Sequence, residues 1–247
     1  MKKLSRILFA LLLLAPGYRG SARDLAARPV PILLYHSVSE DTGNPLKLGP
    51  SRFEEQMEYL RSKGFHPLFF SDLSGWEKGR PLPAKPVLIT LDDGYADNYA
   101  AAYPILRRTG MKTTVFSITG EIGKPGYLTW GQLREMEASG VVRAESHTVS
   151  HPNLTRLDAG GKRRELIESR REIVRQLGHR PVALAYPYGA YDAETEEAVR
   201  LAGYRFAVTG ETGCADPSQG RFTLHRILVT SGMPMEEFRG WLRDCGG

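Results

Sequence analysis

The 247-residue chain has two cysteines, three tryptophans and no apolar run long enough to span a bilayer. It also lacks repeats, low-complexity tracts and long linkers, which leaves a continuous globular chain as the expectation. The short apolar run Ile7 to Ala15 follows Lys2, Lys3 and Arg6 and precedes the small residues Gly20-Ser21-Ala22, the order of an export signal. No cysteine follows that run, which excludes a lipoprotein anchor. Residues 1–22 are therefore expected to be a signal peptide, with residues 23–247 as one domain and no stable membrane span after cleavage.

A strong charge of either sign is missing as well. The formal net charge is +5, but Lys2, Lys3, Arg6 and Arg19 fall in the signal, which contains no acid. The 33 basic residues less these four leave 29 against 28 acidic ones, so nothing points to a nucleic-acid partner. Both cysteines, Cys214 and Cys245, lie in the exported part. In an oxidising compartment they either pair and pin the C-terminal tail or stay as two thiols.

What is present alternates between apolar strands and amphipathic helices, the pattern of parallel βα architecture. Pro31 to Tyr35 reads as a first strand ending at His36. Ser51 reads as the cap of a helix, with Glu54 in the capping-box position and Gly64 as its stop. Val87 to Leu91 is a buried-strand run with Asp92-Asp93-Gly94 at its carboxyl end. A helix from Tyr99 to Arg108, a strand Thr113 to Ile118, and a capping-box helix opened by Thr129 and Gln132 follow. Val141 to Ala144, a charged helix over 158–177, strand Val182 to Tyr186, helix 193–202, strands 205–208 and 226–229, and helix 235–243 complete the pattern.

The polar clusters His36, Asp92/Asp93, His147/His151 and Pro187-Tyr188-Gly189 all follow strands, where sites gather in parallel α/β proteins. One carboxylate with two imidazoles is a facial metal set that leaves positions open for water and substrate. The spacing His147-x-x-x-His151 lacks the glutamate of a zincin helix, and Pro152 disfavours helix at His151, so a loop or single turn is expected. An Asp-Asp-Gly after a strand is also an ordinary turn sequence. The His pair is what lifts Asp92 and Asp93 above that reading.

Thr90-Leu91-Asp92-Asp93-Gly94 resembles the first signature of the polysaccharide deacetylases (carbohydrate esterase family 4), and Ser146-His147-Thr148-Val149-Ser150-His151-Pro152-Asn153-Leu154 resembles the second. The Pro187-Tyr188-Gly189 core is similar to the third, and the start Pro31 to His36 is similar to exported bacterial members, among them poly-N-acetylglucosamine deacetylases. The resemblance implies a single-domain deformed (β/α) barrel and a metal-dependent hydrolase removing acetyl groups from an N-acetylglucosamine-containing glycan in the periplasm or cell envelope. By the same resemblance Asp93, His147 and His151 hold a divalent metal, most often Zn²⁺, and Asp92 is the general base. Tyr188 supplies an oxyanion N–H, His225 is the general acid, and His36 lines the substrate site or bonds a backbone carbonyl. The family's usual Arg before the Pro-Tyr-Gly core is replaced by Leu184-Ala185-Tyr186, with Arg226 as a substitute that the sequence does not place. Leu224-His225-Arg226 departs from the usual Leu-x-His spacing. These departures keep an O-acetyl esterase of xylan type and a lapsed glycan-binding protein in view. Glu145 is read as an exposed strand-end acid or a partner of a metal-binding imidazole, and His66 and His179 as surface residues. Tyr127, Trp130, Tyr186, Tyr188 and Tyr191 are candidates for a sugar-stacking groove or for core.

Overall fold

The apolar run ahead of Asp92 and Asp93 is the backbone of the architecture. It lies in strand β3, Pro86–Asp93, buried from Val87 onward. Strand β1, Ile32–Tyr35, runs parallel to it in the register Ile32↔Leu88 to Tyr35↔Leu91. A computed structural model describes residues 28–40 and 43–246 of the chain. The signal-peptide reading of residues 1–22 therefore lies outside the described residues.

Strands β4 (Thr113–Ser117), β5 (Val142–Ser146), β6 (Ala183–Ala185), β7 (Phe206–Thr212) and β8 (Leu224–Leu228) continue in parallel, and β8 pairs back onto β1. Since β1 also pairs with β3, the strands close into a ring. Strand β2, His66–Leu68, lies beside the first residues of β3. It is three residues long and contains Pro67, so it carries no periodic signal and exists through its pairing. This is the deformed (β/α) barrel that the resemblance implies. Strands β5 and β6 share the single register pair Ser146↔Leu184, and the β7–β8 register shifts between Val208 and Thr212.

Side chains alternate across the wall. Val87, Ile89 and Leu91 face an outer layer that includes Phe53, Met57, Leu60 and Leu106, whereas Leu88 faces inward onto Phe116, Phe206 and Leu224. The outer helices are α1 (Pro50–Ser62), α2 (Tyr103–Thr109), α3 (Trp130–Ala138), α4 (Ala159–Leu177), α5 (Ala193–Leu201) and α6 (Met235–Asp244). The Thr129–Gln132 capping box opens α3 as expected. The Ser51 cap does not form: α1 starts two residues earlier, with Gly49 as N-cap and Pro50 in the first turn. Proline's fixed φ and missing N–H suit that first-turn position, and they displace Ser51 into the helix. Cys214 and Cys245 are paired, Cα–Cα 5.5 Å, joining the segment after β7 to the end of α6. Closing a loop of 31 residues contributes about 2–4 kcal/mol in the chain-entropy view.

Candidate active site

Strand alternation alone would send Asp92 and Asp93 to opposite faces of β3. Asp93 instead takes φ 72, a left-handed conformation, and Gly94 follows at φ 79. The strand ends there, and the Asp93 carboxylate joins Asp92 at the barrel mouth. Gly94 is needed for a second reason: a Cβ there would meet Ile122 Cδ1 at 3.2 Å and Ser117 Oγ at 3.4 Å.

The two histidines arrive on an irregular loop after β5, as Pro152 foretells. Thr148 (φ 67) and His151 (φ 58) are both left-handed. The Thr148 hydroxyl accepts the His151 N–H at 3.0 Å, and Glu165 accepts the N–H groups of Val149 and Ser150 at 2.8 and 2.9 Å. The loop is thus held by side chains where backbone pairing ends. Buried His147 directs Nδ1 at the Ala185 carbonyl, 2.8 Å away, which leaves Nε2 facing the carboxylates. A backbone carbonyl, and not Glu145, orients this imidazole.

The resulting triangle has edges of 3.1 Å (His147 Nε2 to His151 Nε2), 3.5 Å (His147 Nε2 to Asp93 Oδ1) and 3.8 Å (His151 Nε2 to Asp93 Oδ1). Three donors bound tetrahedrally at about 2.0–2.2 Å would stand about 3.3–3.6 Å apart, so the observed spacing fits a small N/O-coordinated cation such as zinc. Among the described residues this is the group of histidine and carboxylate side chains able to hold such an ion.

Asp92 has a different partner. Arg226 reaches across the barrel from β8 and grips it with two bonds of 2.8 Å, Nη1 to Oδ1 and Nη2 to Oδ2. Both side chains are nearly inaccessible, at 3% and 2%. Arg226 also donates Nε–H to the Thr209 carbonyl at 2.9 Å and Nη1–H to the Thr90 hydroxyl at 3.2 Å, which fixes the fork. The orienting arginine that the sequence left unplaced is therefore Arg226, carried by a different strand.

These surroundings split the adjacent acids. Burial works to raise the Asp92 carboxyl, but the Arg226 and His147 charges and the Arg226 hydrogen bonds outweigh it and hold the group below its ordinary value. Asp93 is raised, by burial first and then by the charge of Asp92. Burial depresses both imidazoles, His147 to about 4. At neutral pH the histidines are thus unprotonated, as metal ligation requires.

Two further predicted residues reach the site. His36 follows β1 close enough to favour the ionised form of both aspartates, and its buried Nδ1 has no hydrogen-bond partner among the described residues. Tyr188, at φ 60 and 73% exposed, lays its ring against His151 with centroids 4.6 Å apart. The turn that presents it is clamped, because a Cβ on Gly189 would stand 2.4 Å from Gly210 N.

His225 does not join them. It alternates with Arg226 along β8, faces away from the barrel interior, and lies 2.6 Å from Glu211 Oε2. The general-acid role expected of His225 therefore stands only as a proposal, weighed against this pairing with Glu211. Glu145 is not exposed: it is 3% accessible and accepts the Val182 and Ala183 N–H groups at 2.6 and 2.8 Å. It thus links β5 to the start of β6, and burial pushes its carboxyl up to about 8. His179 pairs with Glu137 at 2.8 Å, while His66 is exposed with Nδ1 on the Ala84 carbonyl. Tyr186 and Tyr191 stack on each other, and Trp130 packs on the outer core. Tyr95 was passed over in the sequence. It follows Gly94 directly, and it lies close enough to Asp93 for burial and that carboxylate's charge to push its hydroxyl pKa up.

A sequence model of the polysaccharide deacetylase family matches residues 79–207. A Bacillus subtilis protein named putative polysaccharide deacetylase YxkH is 37% identical over 87% of this chain and 76% of its own. A Staphylococcus aureus poly-beta-1,6-N-acetyl-D-glucosamine N-deacetylase is 25% identical over 80% of this chain and 72% of its own. The Streptococcus pyogenes deacetylase PplD, solved with acetate, superimposes with a TM-score of 0.83 at 29% identity, covering 87% of this chain and 98% of PplD.

Proposed function

The chain belongs to the polysaccharide deacetylase family, and on that premise we propose that it hydrolyses acetamide groups of an N-acetylglucosamine-containing glycan outside the cytoplasm, using a divalent metal. The observation that carries this reading is the split pair of aspartates: Asp93 faces two unprotonated imidazoles, and Asp92 is held ionised beside them by Arg226. Asp93, His147 and His151 are the proposed ligands, with zinc the metal that suits their N/O set. When bound, such an ion polarises the acetyl carbonyl and acidifies water.

The remaining chemistry falls to side chains and backbone. Asp92 accepts the proton of the attacking water through a lone pair that Arg226 leaves free. The bidentate grip makes Asp92 a weaker base but keeps it charged and aimed at neutral pH, so positioning is favoured over basicity. The Tyr188 N–H faces the developing oxyanion. His36, the imidazole that does stand near the carboxylates, is assigned the proton for the departing amine in place of His225.

β-1,6-linked N-acetylglucosamine polymer is the lead substrate, supported by the named activity of the staphylococcal relatives. Peptidoglycan or chitin-like β-1,4 glycan follows. Export through the basic, apolar N-terminal segment (residues 1–22, ahead of one catalytic domain over residues 23–247) agrees with the paired cysteines. No helix among the described residues is long and apolar enough to cross a membrane. O-acetyl ester hydrolysis is the second reading, favoured if His36 does not deliver the proton while His225 stays paired with Glu211, since an alcohol leaves more readily than an amine without an acid.

The test is acetate release by the purified zinc-loaded protein from β-1,6-linked N-acetylglucosamine oligomers, with Asp92→Asn alongside. Wild-type release with a loss of about 10²–10⁴-fold in the variant, metal retained, is the expected result. Release from acetyl xylan but not from the amide would move the assignment to the esterase. No release from β-1,6, β-1,4 or ester substrates would leave a glycan-binding role.

A further inference from the structure

The nearly balanced charge of the exported part conceals a separation between the two ends of the barrel. The strands all run the same way, so the mouth lies at their carboxyl ends and the opposite face is built by the segments that enter them. Segments leaving strands toward the mouth carry Glu40, Asp97, Asp158 and Asp192 in addition to the site's own aspartates. Segments entering strands at the opposite face carry cations. Lys63 precedes β2, Lys85 precedes β3, Lys112 precedes β4, Arg143 is second in β5, Arg180 precedes β6 and Arg205 precedes β7. Strands β2 to β7 are consecutive neighbours in the sheet, so these six cations form an unbroken arc across that face.

Helix ends at this face are basic for a local reason, since a cation offsets the partial negative charge of the last carbonyls. That reason accounts for Arg61, Arg175 and Arg200, and each is also neutralised by a glutamate three residues earlier, Glu58, Glu172 and Glu197. The arc differs. None of its six cations forms an ion pair among the described residues. Two of them share one ring: Lys112 Nζ and the Arg143 guanidinium lie 5.4 and 5.9 Å from the Phe69 centroid. Two more are drawn together where Lys85, left-handed at φ 49, donates from Nζ to the Lys63 carbonyl at 3.3 Å. Like charges held side by side repel unless a counter-charge arrives, and the chain supplies none here. Lys63, Lys85 and Arg180 are exposed, so the charge is offered to the surroundings.

We propose that this face docks on an anionic phospholipid bilayer, holding the protein at a membrane surface with the barrel mouth turned away from it. The arc spreads over six strands, which suits a plane of headgroups better than a single phosphate. The chain also arrives at this face: Arg28 stands four residues ahead of β1, so the basic and apolar segment over residues 1–22 precedes the domain from this end. Until it is cleaved, an export segment of that kind keeps this end beside the membrane it crosses. The docking is separate from the deacetylase reading, because it is measured as binding and not as turnover.

The experiment is co-sedimentation of the full-length protein with vesicles of phosphatidylcholine alone and of phosphatidylcholine with about 30% phosphatidylglycerol. Preferential binding to the anionic vesicles, falling as salt rises from about 50 to about 200 mM, is expected. Replacing Lys63, Lys85 and Arg180 together by Gln should weaken that binding about a hundredfold, at about fivefold per cation. Removing as many charges from the mouth side, by Arg163→Gln, Arg164→Gln and Lys124→Gln together, should leave it within about threefold. Any share of residues 1–22 in the binding is common to both triple variants and cancels in their ratio. Should the first triple variant unfold, Arg180→Gln alone carries the same test at about fivefold. Equal losses in the two triple variants, or equal binding to the two kinds of vesicle, overturn the docking face. Binding to long-chain polyphosphate without binding to anionic vesicles overturns the bilayer and assigns the face to a soluble polyanion.

Discussion

The barrel mouth and the barrel interior beneath it obey different rules. Inside, Leu88, Phe116, Phe206 and Leu224 sit on regular strands, apolar and buried. At the mouth, four of the five described non-glycine residues with positive φ gather: Asp93, Thr148, His151 and Tyr188. Each such conformation costs on the order of 1–3 kcal/mol and persists when neighbours over-determine it. Here the neighbours are visible: Gly94 behind Asp93, the Thr148 hydroxyl on His151, Glu165 under the loop, and the Gly189–Gly210 approach beneath Tyr188. The interior supplies the stability from which the mouth holds carboxylates and imidazoles in orientations that alternation would not allow.

The comparison breaks most sharply by removing the ligand set. Asp93→Ala or His147→Ala should abolish zinc retention after dialysis, read by metal analysis, while thermal unfolding stays cooperative. Full retention of the metal by either variant would refute the assignment. Arg226→Met should come next, because it strands a buried carboxylate. A loss of about 3–5 kcal/mol in denaturant unfolding is expected. The acid limb of its pH–rate profile should also move to higher pH, since Asp92 loses the charge that holds its carboxyl down.

An interior substitution tests the other half. Leu88→Ala should cost about 2–5 kcal/mol in the same unfolding experiment and yet leave turnover per folded molecule within about twofold. A large loss of turnover would show that the two regions are not separable. The smallest effect belongs to the link between β5 and β6. Glu145 titrates higher in the fold than in the open chain, so its favourable contribution is complete at low pH and is lost as pH rises toward about 8. Glu145→Gln should flatten the decline in stability between about pH 5 and 8, and an unchanged slope would assign that dependence elsewhere.

The legible parts of the sequence were those with a local cause. Val87 to Leu91 is apolar at every position, so β3 and the acids at its end were visible directly. Pro152 excluded a helix at His151, and Thr129 with Gln132 announced α3. Strand β2 was invisible because three residues with a proline make no pattern. Ser51 misled because Pro50 competes for the same turn. Glu145 read as an exposed acid because nothing nearby in sequence reveals that its carboxyl meets the Val182 and Ala183 N–H groups.

By itself the sequence determined the parallel βα order, the placing of polar clusters after strands, and the residue types that make a metal set plausible, since these depend on periodicity and short-range motif. Only the tertiary structure decided that Arg226 and not His225 faces Asp92, that His36 joins the acids, and that Cys214 and Cys245 meet. The reason is physical: which of two neighbouring side chains on β8 points inward is set by how that strand registers against β1 and β7, more than a hundred residues from the carboxylate it serves.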